Sequence, residues 1–186
     1  MLKKILIGLG AAFAGLLVVI ALQPATFHIE RSIAVTAPPA AAFAQVNDFH
    51  AWGKWSPWEK LDPGMKRTYE GPSSGVGAKY AWVGSKEVGE GRMTIEQSEP
   101  SRISIKLEFL KPFAATNIAT FSFAPTAQGT KVTWAMDGKN DFMGKAFHLF
   151  MDMEKMIGPD FEKGLANLKA AAEAAPKADS VAERTP

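Results

Sequence analysis

His50 and Glu59 stand on either side of three tryptophans, Trp52, Trp55 and Trp58, in the stretch DFHAWGKWSPWEK. If the chain turns between them, the imidazole could act as a general base and the carboxylate as the group that orients it. Both also fit a plain solvated loop. The remaining polar candidates are weaker. Asp137 and Asp141 frame a Gly-Lys-Asn segment and read as turn and cap residues. Asp152 and Glu154, two residues apart in MDMEKM, point to different sides of a helix and suggest a solvated face, not a metal site. Arg67 falls among apolar residues on a strand pattern and could meet an anionic head group. The three histidines, His28, His50 and His148, are too scattered to suggest a metal cage. The absence of cysteine excludes disulfides, thiolate catalysis and Cys-ligated zinc. G-x-S-x-G, P-loop, H-E-x-x-H and dinucleotide fingerprints are all missing, so no cofactor is implied. The glycine-rich run from Gly71 to Gly77 contains a proline and reads as a connection between strands.

The tryptophans themselves are the stronger signal. Residues three apart in a short helix lie near one face, so Trp52, Trp55 and Trp58 could project together, with Pro57 ending the helix or marking a turn. Three uses are open. The rings could plug one end of a sheet as core, close over a ligand as a lid, or meet a membrane at headgroup level with Lys54 and Lys60 near phosphates.

Several elements must position these side chains. After Lys3-Lys4, the run from Ile5 to Leu22 holds eighteen residues without a charge. As a helix it spans about 27 Å, close to the hydrocarbon thickness of a bilayer. The leading lysines predict a cytoplasmic N-terminus, with the rest of the chain on the outer side of the cytoplasmic membrane. A cleavable signal segment is the rival reading, although its apolar core would usually be shorter. A third is a helix buried in the domain, which the lack of any polar face disfavours. Residues 1–24 are thus expected to form an anchor or signal segment, 25–173 one domain, and 174–186 a disordered tail. With a net charge of +2 and no Lys/Arg-rich run, no nucleic-acid partner is expected.

Within the domain, Phe27, Ile29, Ile33 and Val35 share one face of a strand interrupted by Arg31. TAPPAAAFAQVNDF starts a helix with proline in its first turn, and Asn47-Asp48 ends it. From Met65 to about Gly138 six further strands follow with turn signals between them. Ile103, Ile105, Leu107 and Phe109 form the cleanest alternation. The segment from Phe142 to Ala174 predicts one long amphipathic helix, bent or split at Gly158-Pro159. A sheet with one dry face and a helix with one dry stripe predict an α+β domain whose curved sheet wraps the helix.

Particular stretches then carry a resemblance. "IAVTAPPAAAFAQVNDFHAWGKWSPWEK", "GVGAKYAW", "EGRMTIEQSEPSRI", "LEFLKPFAATN", "GTKVTWAMDG" and "MIGPDFEKGLANLK" together resemble the START-like superfamily, also called SRPBCC, in its polyketide cyclase/dehydrase-related branch. The likeness runs from about Thr26 to Ala172. It implies a helix-grip fold, a seven-stranded antiparallel sheet around a long C-terminal helix with a hydrophobic cavity between them. The fold hosts lipid carriers, hormone receptors and cyclases, so it does not by itself name a function.

If such a cavity is present, its expected lining is Tyr80, Trp82, Met93, Phe109, Phe121, Trp134, Met136, Phe147, Phe150 and Met151, with Ile105 and Leu107 beside them and the three tryptophans at its mouth. Methionine and aromatic side chains make an adaptable apolar pocket. The same residues could equally fill the interior. The leading expectation is a membrane-anchored domain holding a hydrophobic small molecule or lipid. A cyclase- or hydrolase-like enzyme at the cavity mouth and an envelope interaction module with a filled core are the alternatives.

Overall fold

The structure, a computed structural model, describes residues 1–175. The expected tail beyond Ala175 lies outside the described residues.

The apolar run forms α1 (Leu2–Ala21), a helix of 20 residues and so about 30 Å long. It is long and apolar enough to cross a membrane. From Met1 to Val19 its side chains are exposed, and only Ile20 near its end is buried. The helix therefore does not belong to the domain's core.

Seven antiparallel strands make one sheet in the order β1-β7-β6-β5-β4-β3-β2. They are β1 (Thr26–Val35), β2 (Lys66–Glu70), β3 (Lys79–Val83), β4 (Glu90–Glu99), β5 (Arg102–Lys111), β6 (Ala115–Thr126) and β7 (Gly129–Lys139). Register shifts in β4, at Glu90/Gly91 and Ile95/Gln97, are where its pairing with β5 becomes irregular, the device that bends a strand and lets a sheet curve. Between β1 and β2 the chain folds as α2 (Pro39–Asn47), a 3-10 turn (Phe49–Ala51), α3 (Trp52–Trp55) and a second 3-10 turn (Pro57–Lys60). Pro39 opens α2, and Pro57 separates α3 from the turn that follows, as their fixed φ favours.

The last segment departs from the sequence-based expectation. It is two helices, α4 (Phe142–Phe150) and α5 (Met153–Glu173), and the break falls at Met151-Asp152. Each start has a capping carboxylate. Asp141 accepts from the Gly144 amide at 2.7 Å, and Asp152 from the Lys155 amide at 3.3 Å. Pro159 lies inside α5, which continues through it. Its missing N–H is outweighed by packing, since Phe161, Leu165 and Leu168 immediately beyond it are buried in the core.

α5 runs along β1 in the same direction. Arg31, the residue that broke the strand's alternation, reaches Glu154 and, at 2.8 Å, Glu162. Gly158 permits this crossing, because a Cβ there would collide with the Arg31 guanidinium. Further along, Lys169 donates to the Ala34 carbonyl at 3.0 Å, and Glu173 accepts from the amide and hydroxyl of Thr36.

Candidate functional site

The interior between sheet and α5 is an aromatic stack. Trp134 on β7 lies parallel to Phe161 of α5, centroids 4.1 Å apart, and stacks on Phe121 of β6 at 4.8 Å with a 27° tilt. Trp55 meets Trp134 edge-on at 5.7 Å, and Trp58 does so at 5.6 Å. Trp52 and Trp55 are buried and satisfied, donating their indole N–H to the carbonyls of Val46 and Gln45 at 3.0 and 2.9 Å. The two rings that the short helix carries are thus core, wedged between α2, α5 and the sheet. Trp58 is only partly buried. One polar atom stands out in this stack, since the Trp134 indole N–H is buried and meets no acceptor among the described residues.

Tyr80, Trp82, Met93 and Met136 are buried on the same inner face, with Phe109 partly buried and edge-on to Trp82 at 6.0 Å. Phe147, Phe150 and Met151 are not part of it. Because the helix breaks after Phe150, they sit at the end of the sheet and are 44%, 74% and 39% exposed. Sequence periodicity carried them onto the inner stripe only by treating α4 and α5 as one rod.

The titratable groups also pair differently from the first expectation. His50 does not meet Glu59; its Nδ1 lies 2.8 Å from Asp48, and its ring stacks on Tyr69 at 4.1 Å. Glu59 instead accepts from Tyr80 Oη at 2.5 Å and from Arg67 Nε at 2.7 Å. Arg67 also donates to the carbonyls of Glu59 and Met65, so its charge is satisfied inside the protein. Burial, and after it the hydrogen bond to Glu59, push the Tyr80 hydroxyl far above the usual tyrosine range. Asp137 is a strand residue. Its carboxylate lies 2.7 Å from His28 Nδ1, and this hydrogen bond holds the His28 imidazolium above its ordinary pKa.

A groove of about 560 Å³ opens between β1, the end of α4 and the start of α5. Phe27, Ile29, Leu149, Phe150, Met151 and Met153 supply its apolar wall, while His28, His148, Asp152 and Glu154 line it with polar groups. Pro24 and Thr26 place its edge directly after α1. Of these residues only Phe150 and Met151 were expected as site residues. Asp followed by Glu in MDMEKM is a helix-start signal that could have placed the break and so brought Phe150 and Met151 to β1. A second, smaller crevice of about 240 Å³ lies among Phe49, His50, Tyr69 and the start of the β2–β3 connection.

Residues 26–173 match the family described as polyketide cyclase / dehydrase and lipid transport. Among solved structures, a protein of Chromobacterium violaceum matches with a TM-score of 0.56 at 20% identity, covering 82% of this chain and all (100%) of that one. A protein of Rhizobium leguminosarum matches with a TM-score of 0.58 at 15% identity, over 81% and 96% of the two chains. The di-domain ARO/CYC StfQ of the steffimycin biosynthetic pathway matches with a TM-score of 0.61 at 13% identity, over 80% of this chain and 51% of that one. At these identities the neighbours establish the helix-grip fold. No curated protein matches the chain by sequence. The seven-stranded sheet around α5 and the match over nearly the whole domain agree, and the chain belongs to the polyketide cyclase/dehydrase and lipid transport family of SRPBCC domains.

Proposed function

We propose that this protein is a membrane-anchored carrier or receptor for a hydrophobic small molecule or lipid, held in the groove between β1 and the α4–α5 junction. The groove carries the reading. Its volume of about 560 Å³ suits a small ligand, and its apolar wall is made partly of methionines, which adapt to irregular shapes. The stacked rings of Trp52, Trp55, Trp58, Phe121 and Trp134, with Tyr80, Trp82, Met93, Phe109 and Met136, fill the interior between sheet and α5 and are the packed core of the domain, not the wall of the groove.

Anchoring by α1 on the outer side of the cytoplasmic membrane is part of the proposal. It is supported by the length of α1, by its exposure, and by Lys3 and Lys4 before the apolar run. The bonds from Lys145 to Ala21 and from Asn140 to Pro24 tie the end of that helix to the domain.

The His28–Asp137 pair favours a second reading, proton transfer at the groove, because a carboxylate-oriented imidazole is what a general base requires. Native mass spectrometry of the full chain released from membranes separates the two. A carrier retains a reproducible extra mass in the parent and in His28→Gln, and loses it in Met151→Trp, which fills the groove from a partly exposed position on its wall. A clean mass in the parent, together with turnover that His28→Gln abolishes, would overturn the carrier reading.

A further inference from the structure

The faces of α4 are reversed for a helix of a water-soluble domain. Lys145 and His148 turn toward the protein: the Lys145 ammonium donates to the Ala21 carbonyl at 2.9 Å, and the His148 ring lies 5.5 Å from that of Phe27. Phe142, Met143, Phe147 and Phe150 face outward at 48%, 70%, 44% and 74% exposure, and no residue of α4 is buried. An apolar helix face of this kind is costly in water and stable at a lipid interface.

The location of α4 identifies what covers it. Besides the Lys145 bond, Asn140 just before α4 donates its amide to the Ala25 carbonyl at 2.9 Å and its side chain to the Pro24 carbonyl at 3.2 Å. The helix is thereby held at the exit of α1. A second element arrives at the same level. Thr26 pairs with Lys139, Asn117 with Gly138, and Ala115 with Phe109, so the β5–β6 hairpin projects from the end of the sheet where α1 leaves. Its tip carries Phe113 at 78% exposure and Leu110 at 49%. Two elements distant in sequence thus present bare aromatic side chains at the end of the domain nearest the apolar helix.

We infer that α4 and the β5–β6 hairpin rest in the headgroup layer of the bilayer, so that the groove opens toward lipid. This rests on the reading of α1 as a membrane anchor. The occupant is phospholipid, and a ligand enters the groove from the membrane without crossing water.

The chain has no cysteine, so single cysteines can be introduced without removing any. Phe150→Cys, Phe113→Cys, Leu9→Cys in α1 and Ser101→Cys in the β4–β5 turn at the far end are all at exposed positions and leave the core intact. The full chain, labelled with bimane, is placed in vesicles of phosphatidylethanolamine and phosphatidylglycerol carrying nitroxides either at the headgroup or deep in the acyl chains. Phe150→Cys and Phe113→Cys are expected to lose most of their fluorescence to the headgroup nitroxide, Leu9→Cys to the deep one, and Ser101→Cys to neither. Quenching at Leu9→Cys with none at the other two overturns the docking and leaves the anchor standing. No quenching at Leu9→Cys overturns the anchor and the docking with it. Quenching of only one element overturns the two-element surface. Spin labels on Phe150→Cys that broaden one another without lipid quenching overturn it in favour of self-association.

Discussion

The indole of Trp134 lies flat on the ring of Phe161, centroids 4.1 Å apart and planes 8° from parallel. This contact joins the sheet to α5, and Gly164 one turn on keeps the helix close, since a Cβ there would press on Trp134. Phe161 is fully buried, so Phe161→Ala should cost about 3–5 kcal/mol of stability through the cavity it leaves. Phe150→Ala, at a site 74% exposed, should change stability by no more than about 0.5 kcal/mol. Urea unfolding of the two variants measures the contrast, and equal losses would mean that the stack is not the keystone of the fold.

Glu59 accepts from both Tyr80 and Arg67, and its side chain is only 9% exposed. Glu59→Gln turns an amide N–H toward one of these two donors, and should cost about 1–3 kcal/mol. In the parent, ultraviolet titration should find Tyr80 ionising far above the usual range and Tyr69 above its ordinary value. Burial raises both Tyr69 and Tyr80, and Glu59 adds to the shift. Glu59→Gln should lower the Tyr80 transition but leave it above that of free tyrosine, because burial, the larger cause, remains. An unchanged titration would break the assignment.

Glu173 fastens the end of α5 to the end of β1, and the hydrogen bond from Lys169, followed by those from Thr36, holds its carboxyl down at about 2. A depressed carboxylate stabilises the fold above its unfolded pKa of about 4.5 and loses that effect as pH falls toward 2. The melting temperature of the parent should therefore fall more steeply between those limits than that of Glu173→Gln, and parallel curves would exclude the clamp.

If α1 anchors the protein, the full chain should stay with membranes after alkaline carbonate extraction, and alkaline phosphatase fused after Pro186 should be active. Deletion of residues 2–21 should release the protein. Full-length protein in the carbonate supernatant would refute the anchor, and an inactive fusion would reverse the orientation.

Much of the fold was legible because period-two and helical patterns report which face of an element is dry. The alternation of Ile103, Ile105, Leu107 and Phe109 predicts β5, and Val132, Trp134 and Met136 predict β7. The same logic put Trp52 and Trp55 on one side of a short helix, and both are buried there. Pairings between elements were not legible. Nothing local to Glu59 says that it turns to Arg67 and Tyr80, whereas the partner of His50 is the capping Asp48 only two residues before it.

The sequence by itself determined the seven strands, the last amphipathic segment and the uncharged apolar run, since each follows from local spacing of apolar residues. Only the tertiary structure decided where that last segment breaks and which way α4 faces. Phe147 and Phe150 have the same spacing whether their stripe meets a sheet or lies bare. What turns them outward is the cap at Asp152 together with the hold of Lys145 on Ala21, a bond spanning more than a hundred residues that no local pattern encodes.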